Sequence, residues 1–249
     1  MRLARPSAFA LCLTLLIGGH AFAQLVDDVA HNNALMHYRS GEELMRAEKF
    51  ANARDEFQRA IKFDPLLTIA HYELGQAFMA LRQYQEAIRA YVGCRTAYQS
   101  LAALISRNDF VADQRRDDEV RELRQSIDDI QSGRIKIATG RDTMVARLEH
   151  RISELERTKQ MGRTSFETPP ELSLALGSAY FRSGNLADAE REWKDAADGN
   201  PRLGEAFNNL AALYAMTGRK AEAQQSVKDA ERAGYRVNPN LKTDIQRLP

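Results

Sequence analysis

Small and apolar residues recur along this chain in a fixed order that appears four times. Each copy begins with Gly or Ala, has Leu or an aromatic residue three positions later, and continues with three further residues at intervals of nine, four and three. The four copies are Gly41, Leu44, Ala53, Phe57 and Ala60; Gly75, Phe78, Ala87, Tyr91 and Cys94; Gly177, Tyr180, Ala189, Trp193 and Ala196; and Ala211, Tyr214, Ala223, Val227 and Ala230. The first and second copies are 34 residues apart, as are the third and fourth. This period predicts a solenoid of helix-turn-helix repeats.

Packing explains why these residue types recur. A Gly or Ala midway along the first helix of a repeat lets the second helix approach closely, and a residue three positions later lies on the same face. Ala53, Ala87, Ala189 and Ala223 supply the small partner on the second helix. The pattern therefore predicts closely packed helix pairs.

Residues 98–168 do not follow the repeat and have a narrower apolar stripe. The apolar positions of this stripe, with charged residues between them, are Val120, Leu123, Ile127, Ile130, Leu148, Ile152 and Leu155. Their spacing of three or four predicts two amphipathic helices over about 110–135 and 142–160, joined by a turn near Thr139 and Gly140.

Two structures satisfy these narrow stripes. In an antiparallel helical hairpin each stripe covers the other, whereas in a homo-oligomer residues 110–160 pair with another copy of the chain. The hairpin is the simpler structure, because the apolar stripe of each helix spans fewer than three heptads. The charged run from Asp113 to Glu119 is expected to be a solvated helix face.

The N-terminal 23 residues differ from the rest of the chain. Two arginines precede a short apolar run, and a small-x-small sequence occupies residues 21–23. The run is too short to cross about 30 Å of hydrocarbon, so the pattern predicts a signal peptide cleaved between Ala23 and Gln24. We therefore expect an exported protein, periplasmic or secreted, with no integral membrane span after cleavage.

Charge bears on the kind of partner that we expect, and cysteine content bears on whether a disulfide can form. The chain has 249 residues, with 35 Lys and Arg and 34 Asp and Glu. Loss of the leader removes two arginines and leaves 33 basic against 34 acidic residues, so no nucleic acid partner is expected. One cysteine remains, Cys94, which excludes an internal disulfide and is expected to be a small buried core residue.

The repeats resemble the tetratricopeptide repeat (TPR) family. The second unit reads TIAHYELGQAFMALRQYQEAIRAYVGC, and the first and third units close on Pro65 and Pro201. The fourth departs from the pattern at Lys220 and Val227, as expected for a terminal repeat with one face in water. The resemblance implies an all-α TPR superhelical solenoid, interrupted by the hairpin, that binds other proteins.

The predicted chain has five parts. They are a signal peptide over 1–23, TPR units 1 and 2 over 24–97, the hairpin insertion and its linker over 98–168, TPR units 3 and 4 over 169–236, and a capping helix over 237–249. The capping helix is predicted to start with Asn238 as its N-cap and Pro239 as its first helical residue. Because stacking buries the faces of repeats, we expect one solenoid with the hairpin protruding from its middle. The alternative is two separate modules held apart by the hairpin.

In the TPR family the first helices of the repeats line a groove that contacts partner peptides. The resemblance assigns these candidate partner-binding residues to the groove: Tyr38, Glu42, Met45, Ile69, Tyr72, Gln76, Met79, Leu174, Ser178, Phe181, Asn208 and Met216. The alternative is that half of them pack against neighbouring repeats. Tyr38 and Glu42 stand where some members hold a terminal carboxylate with Lys and Asn, so a partner of that kind is not expected.

The sequence contains no motif that points to a reaction. Patterns for a nucleophile elbow, a zinc protease, a cysteine pair and a phosphate loop are absent. His37 and His71 are equivalent residues that lack a third metal ligand, and packing between adjacent first helices is expected for them. We therefore expect no enzyme activity, no cofactor and no metal.

These observations favour a non-catalytic scaffold or adaptor in the bacterial envelope. It would bind partner proteins through the groove, the helical hairpin, or both. The alternatives are a structural homo-oligomer assembled through the hairpin and an accessory subunit of an envelope assembly or cell-wall complex.

Overall fold

Every regular element of the described chain is an α-helix, as the repeat pattern predicts. The computed structural model describes residues 29–105, 109–134, 141–160 and 168–249. The helices are α1 (29–46), α2 (Phe50–Phe63), α3 (Thr68–Ala80), α4 (Tyr84–Ile105), α5 (Asp109–Gln131), α6 (Arg141–Gln160), α7 (Pro170–Arg182), α8 (Leu186–Gly199), α9 (Gly204–Met216), α10 (Lys220–Arg232) and α11 (Pro239–Arg247). The predicted signal peptide and the turn at Thr139 and Gly140 lie outside the described residues.

Four helix pairs form the repeats, and a glycine facing an aromatic ring sets the distance between the helices of three of them. A Cβ atom built at Gly41 would lie 2.5 Å from Cε1 of Phe57, and one at Gly177 would lie 2.6 Å from Cδ1 of Trp193. The fourth pair has Ala211 and Val227 at the equivalent positions, and both are buried. In the fourth repeat the first helix thus carries a Cβ atom, that of Ala211, where the other repeats have glycine. The second helix carries the smaller Val227 where the others have an aromatic ring.

The two repeat pairs are in direct contact, because α7 packs against α4. Leu172 and Leu176 of α7 belong to the same apolar core as Tyr91 and Cys94 of α4. This packing is that of one solenoid and not of two modules held apart. Helix α4 also continues to Ile105, beyond the predicted end of the second repeat.

A buried ion pair strengthens the contact between the repeat pairs. Arg95 of α4 donates hydrogen bonds to both carboxylate oxygens of Glu192 in α8, one of 3.1 Å, and to the Ser173 hydroxyl of α7 at 3.3 Å. Glu192 is only 1% exposed. Its carboxylate is thus buried at the junction, where Arg95 donates the hydrogen bonds and the more exposed Arg191 of the same helix lies 3.7 Å away.

Helices α5 and α6 form the hairpin. The buried seam between them consists of Ile127, Ile130, Ile152 and Leu155. The Arg141 side chain at the start of α6 donates a 2.8 Å hydrogen bond to the carbonyl oxygen of Gln131 at the end of α5. The end of one helix thus lies beside the start of the next, as an antiparallel hairpin requires.

Two expectations about the hairpin are wrong. It does not protrude, because α5 folds back along α1 and forms ion pairs with it. The charged run from Asp113 to Glu119 is not a solvated face, since Arg116 is 2% and Glu119 8% exposed. A charged stripe that faces another charged stripe has the same sequence pattern as one that faces water.

The two ends of the solenoid are finished differently. At the C-terminus α11 packs on α9 and α10; its N-cap Asn238 accepts a 2.9 Å hydrogen bond from the Asn240 backbone, as predicted, and Ile245 is buried. At the N-terminal end Met36 is 58% exposed. Its equivalent 34 residues later, Ala70, is buried in the core. Met36 therefore lies on the outer edge of α1.

We predict that Gly75→Leu destabilises the second repeat. A Cβ atom at this position would overlap the Tyr91 ring, and overpacking of a tight core costs about 1–3 kcal/mol. Thermal unfolding followed by circular dichroism measures the effect. Gln76→Leu, one position along α3 and half-buried, is the matched control with little expected change. Equal melting temperatures for the two variants would contradict this helix contact.

We also predict that Arg95→Ala destabilises the junction between the repeat pairs by up to about 3–5 kcal/mol, because it leaves the buried Glu192 carboxylate with only the more exposed Arg191, 3.7 Å away, as a cation. The double variant Arg95→Met/Glu192→Leu, in which apolar side chains replace both charges, is expected to recover most of the lost free energy of unfolding. Urea unfolding measures the free energy of unfolding of each variant. Arg89→Ala breaks an exposed pair with Glu86 and is expected to cost less than about 1 kcal/mol. A loss for Arg95→Ala as small as that for Arg89→Ala would refute the buried ion pair.

Candidate partner-binding groove

The residues predicted to face the groove lie on α1, α3, α7 and α9, the first helices of the four repeats. These residues differ in the fraction of their surface that is exposed. Tyr38 and Leu174 are buried, with 6% and 7% of their surface exposed, and Met216 is 66% exposed. The others are half-buried. Tyr38 and Leu174 therefore contribute to the packing of the repeats, and partner contact by the remaining residues stays a prediction.

Part of the half-buried set also packs within the repeats, as the alternative expects. Met45, Ile69, Tyr72 and Met79 lie against the apolar core of the first repeats. The Tyr72 and Tyr91 rings are tilted against each other, with centroids 5.6 Å apart. These side chains are partly buried in the core of the repeats, and the part that is exposed is available to a partner.

Helix α5 covers the groove side of the first repeat. Three ion pairs join it to α1, and from the start of α1 to its end they are His31 Nε2 with Asp118 Oδ2 (2.9 Å), Arg39 Nη2 with Glu122 Oε1 (2.5 Å), and Arg46 Nη2 with Asp129 Oδ2 (3.3 Å). Both helices follow this order, so α5 runs parallel to α1. We call the three α1 residues the basic stripe and the three α5 residues the acidic stripe.

Near the start of α1, His31 contacts both α5 and the connection between α2 and α3. Its Nδ1 lies 2.6 Å from Oδ2 of Asp64, in the connection between α2 and α3, and its Nε2 faces Asp118. Each ring nitrogen thus faces a carboxylate oxygen, which accepts a hydrogen bond from a ring nitrogen that carries a proton. Burial acts to raise the pKa of Asp118, but the hydrogen bond and charge of His31, with Arg121, outweigh it and lower the pKa.

The carboxyl groups of Glu42 on α1 and Glu73 on α3 lie where their charged forms are disfavoured. Burial raises the pKa of Glu73 to about 8, and the Glu42 carboxylate adds to the rise. Burial also raises the pKa of Glu42 against the opposing charge of Arg46. The same two effects, burial and the charge of Glu42, raise the pKa of the Tyr38 hydroxyl. This part of the groove therefore favours neutral or cationic groups.

The groove side of the third and fourth repeats combines aromatic, polar and apolar side chains. The Ser178 hydroxyl donates a 2.9 Å hydrogen bond to the Leu174 carbonyl oxygen, so its donor is already used. Phe181 packs on Trp193, with ring centroids 5.5 Å apart. Asn208 and Met216 extend this surface onto α9. An aromatic edge, an amide and an exposed thioether make a surface suited to a peptide with apolar side chains.

The sequence prediction missed the residues that hold the insertion to the groove. None of the basic stripe or the acidic stripe was among the candidate residues. The sequence does indicate that the acidic stripe forms one helix face, because its three residues follow one another at intervals of four and seven positions. Its partner could not be inferred, because the contact joins residues more than 80 positions apart.

The described residues hold no arrangement that points to a reaction. They include no group of His, Cys, Asp and Glu suited to a metal ion. His37 pairs with Glu56 at 2.7 Å, and His71 lies 3.0 Å from the Pro65 carbonyl oxygen, so both histidines pack within the repeats. Cys94 is buried, and burial raises the pKa of its thiol well above the usual value. No helix of the described ranges has the length and apolar content of a membrane span.

The fold and the groove define the class of this protein. Residues 38–93 and 174–235 match the model of the tetratricopeptide repeat. The matched stretches contain the two repeat pairs, and the unmatched stretch between them contains the hairpin. The chain is thus an all-α solenoid of tetratricopeptide repeats with an insertion, and such repeats generally mediate contacts between proteins.

Solved structures with a similar arrangement are distant. PilW, described as a widely conserved type IV pilus biogenesis factor, is 14% identical, with 86% of this chain and 85% of that chain covered and a TM-score of 0.40. A thermophilic TPR protein of Thermus thermophilus is 20% identical, with 86% and 98% covered and a TM-score of 0.33. YrrB, a TPR protein with an unusual peptide-binding site, is 14% identical, with 92% and 98% covered and a TM-score of 0.31. No curated protein matches the sequence. None of these likenesses carries a function over to this chain.

We predict that Glu73→Gln stabilises the protein at pH 8. An unfolded glutamate ionises near pH 4.3, whereas folding raises the pKa of Glu73 to about 8. Between these values the folded chain holds a proton that the unfolded chain releases, so this group lowers stability as pH rises. Gln removes that loss, and the melting temperature at pH 8 should rise by several degrees.

Differential scanning calorimetry from pH 5 to pH 8 measures the effect. The gain from Glu73→Gln is expected to grow with pH. Glu86→Gln, at a half-exposed position on α4, is the control. A gain of the same size at both ends of the range, or a loss at pH 8, would show that the Glu73 carboxyl is not desolvated.

Proposed function

We propose that this protein is a non-catalytic scaffold of the bacterial envelope that binds partner proteins through its groove, its helical hairpin, or both. One observation carries the proposal: α5 lies over the first repeat, whereas Met216 on the groove side of the fourth repeat is 66% exposed and Phe181 and Asn208 are half-buried beside it. The open half is where a partner would bind. The TPR class of the repeats supports a binding function.

The proposed location rests on the N-terminal sequence. A basic start, a short apolar run and a small-x-small site over residues 1–23 are typical of a cleaved signal peptide. The exported protein would be periplasmic or secreted. Osmotic-shock fractionation followed by N-terminal sequencing tests this: the released protein should begin at Gln24, and retention of the leader in a cytoplasmic fraction would refute export.

A homo-oligomer assembled through the hairpin is the second candidate, and the seam residues weigh against it. Ile127, Ile130, Ile152 and Leu155 are all buried within one chain, in which α5 packs against α6. The pairing of two copies through these residues would require each hairpin to open. Light scattering tests this candidate directly. A monomeric mass would exclude it.

Crosslinking in cells, with identification of the captured proteins, tests the binding proposal. We expect one specific partner to be captured by the wild-type chain and lost severalfold with Asn208→Ala/Met216→Ala. Met36→Ala is the matched control, because Met36 is an equally exposed methionine on the outer edge of α1. Capture that is indifferent to Met216, Asn208 and the hairpin, or equally reduced by Met36→Ala, would refute the proposal.

A further inference from the structure

The first helix of a repeat ends on an arginine in the first and the third repeats. Arg46 is the last residue of α1 and Arg182 is the last residue of α7. Each lies five positions after the glycine that faces the aromatic ring of its repeat, Gly41 or Gly177. The two arginines therefore occupy equivalent positions of the repeat, and the surroundings of one can be compared with those of the other.

In the first repeat this arginine binds a carboxylate of another helix. Nη2 of Arg46 lies 3.3 Å from Oδ2 of Asp129 in α5, and 3.9 Å from Oε2 of Glu42 in α1 itself. Helix α5 lies parallel to α1 on the groove side of the repeat. The chain itself thus shows how a helix with a carboxylate is held on the groove side of a first helix.

In the third repeat the equivalent arginine has no acidic partner in the part of the chain that the structure describes. Arg182 is exposed, and its side chain forms no ion pair or hydrogen bond with another described residue. The residue four positions earlier, which is Glu42 in α1, is here Ser178, and its hydroxyl donates to the Leu174 carbonyl oxygen. The Arg182 guanidinium is therefore available to a carboxylate from another molecule.

Apolar side chains lie on the same side of the third and fourth repeats as Arg182. Phe181 is half-buried. Met216 ends α9 as Arg182 ends α7, and at 66% it is the most exposed large hydrophobic side chain of the described residues. Leu174 of α7 and Leu210 of α9 belong to one apolar core, so the two helices are neighbours. A cation beside an aromatic edge and a thioether is suited to a segment with both acidic and apolar side chains.

The third repeat differs from the first in ways that define what it can hold. Arg39 of α1 pairs with Glu122 of α5, whereas the equivalent residue of α7 is the uncharged Ala175. Met45 of α1 is replaced by the larger and more apolar Phe181. An occupant of the third repeat therefore needs one carboxylate and an apolar side chain, where α5 carries three carboxylates.

We propose that Phe181 and Arg182 of α7, with Met216 of α9, form a docking site for an amphipathic helical segment of a partner protein. The segment carries one carboxylate that pairs with Arg182, and an apolar side chain one turn away that contacts Phe181 and Met216. This inference rests on the proposed binding function and names the class of partner. The hairpin stays in place, because its ion pairs are with α1 and the site is on α7 and α9.

Selection of peptides on the full chain tests the proposal. The probe is a phage library of random peptides of about 16 residues, which is enough for about four helical turns. We expect the selected peptides to carry Asp or Glu three or four positions from Leu, Ile, Met or Phe, so that both lie on one helix face. Selection on Arg182→Glu is expected to yield Lys or Arg in place of the carboxylate. An arginine that only stabilises the C-terminal end of α7 would not reverse this preference.

Fluorescence anisotropy of the most enriched peptide measures the contribution of each side chain. At low salt Arg182→Glu is expected to weaken binding at least about tenfold, because repulsion replaces attraction. Met216→Ser is expected to weaken it severalfold. Arg202→Glu is the matched control, because Arg202 is also exposed but lies before the start of α9, at the opposite end of that helix from Met216. This variant should bind as tightly as the wild type.

Several results would overturn the proposal. They are a selection that enriches no peptide, an acidic preference that survives Arg182→Glu, and enriched peptides with a central proline, which bind in an extended form. A dimer in light scattering that Arg182→Glu dissociates would also overturn it, because the occupant would then be a second copy of the chain. Capture in cells that is lost with Asn208→Ala/Met216→Ala but kept with Arg182→Glu would refute this inference and leave the binding function standing.

Discussion

The close approach of two helices at a glycine and an aromatic ring is the contact on which the rest of this structure depends. At Gly41 and Gly177 no side chain can be added without overlap with the ring on the second helix. This contact fixes the distance between the helices of a repeat, and that distance fixes which side chains reach the next repeat. In the fourth repeat Ala211 and Val227 occupy the equivalent positions, and both are buried in one core.

The insertion follows a different principle. The repeats are joined by apolar stacking and by the buried pair of Arg95 and Glu192, whereas the hairpin has its own apolar seam and meets the first repeat through a row of charges. The three carboxylates of this row are buried, since Asp118, Glu122 and Asp129 are 9%, 4% and 8% exposed. Separating the hairpin from the first repeat would therefore leave buried charges without compensation.

The sequence predicted the parts of the structure that depend on local periodicity. The repeat pairs, the hairpin helices and the cap at Asn238 all follow from spacing within about two turns of a helix. The place where the hairpin docks could not be predicted, because His31 and Asp118 are 87 residues apart and a charged stripe shows no preference between water and an opposite charge. Tyr38, a groove residue by its repeat position, is buried in the core of the first repeats, where its ring packs against Phe57.

The central claim is that α5 lies parallel to α1 over the groove side of the first repeat. Pulsed electron paramagnetic resonance between spin labels tests it most directly, in a Cys94→Ser background with one label at Asp128 and the other at Glu43 or Asn32. Arg46 contacts Asp129, so the label at Glu43 should be nearer to Asp128 than the label at Asn32 by on the order of 10 Å, with one narrow distribution for each pair. Equal distances, the reverse order, or broad distributions for both pairs would contradict the account.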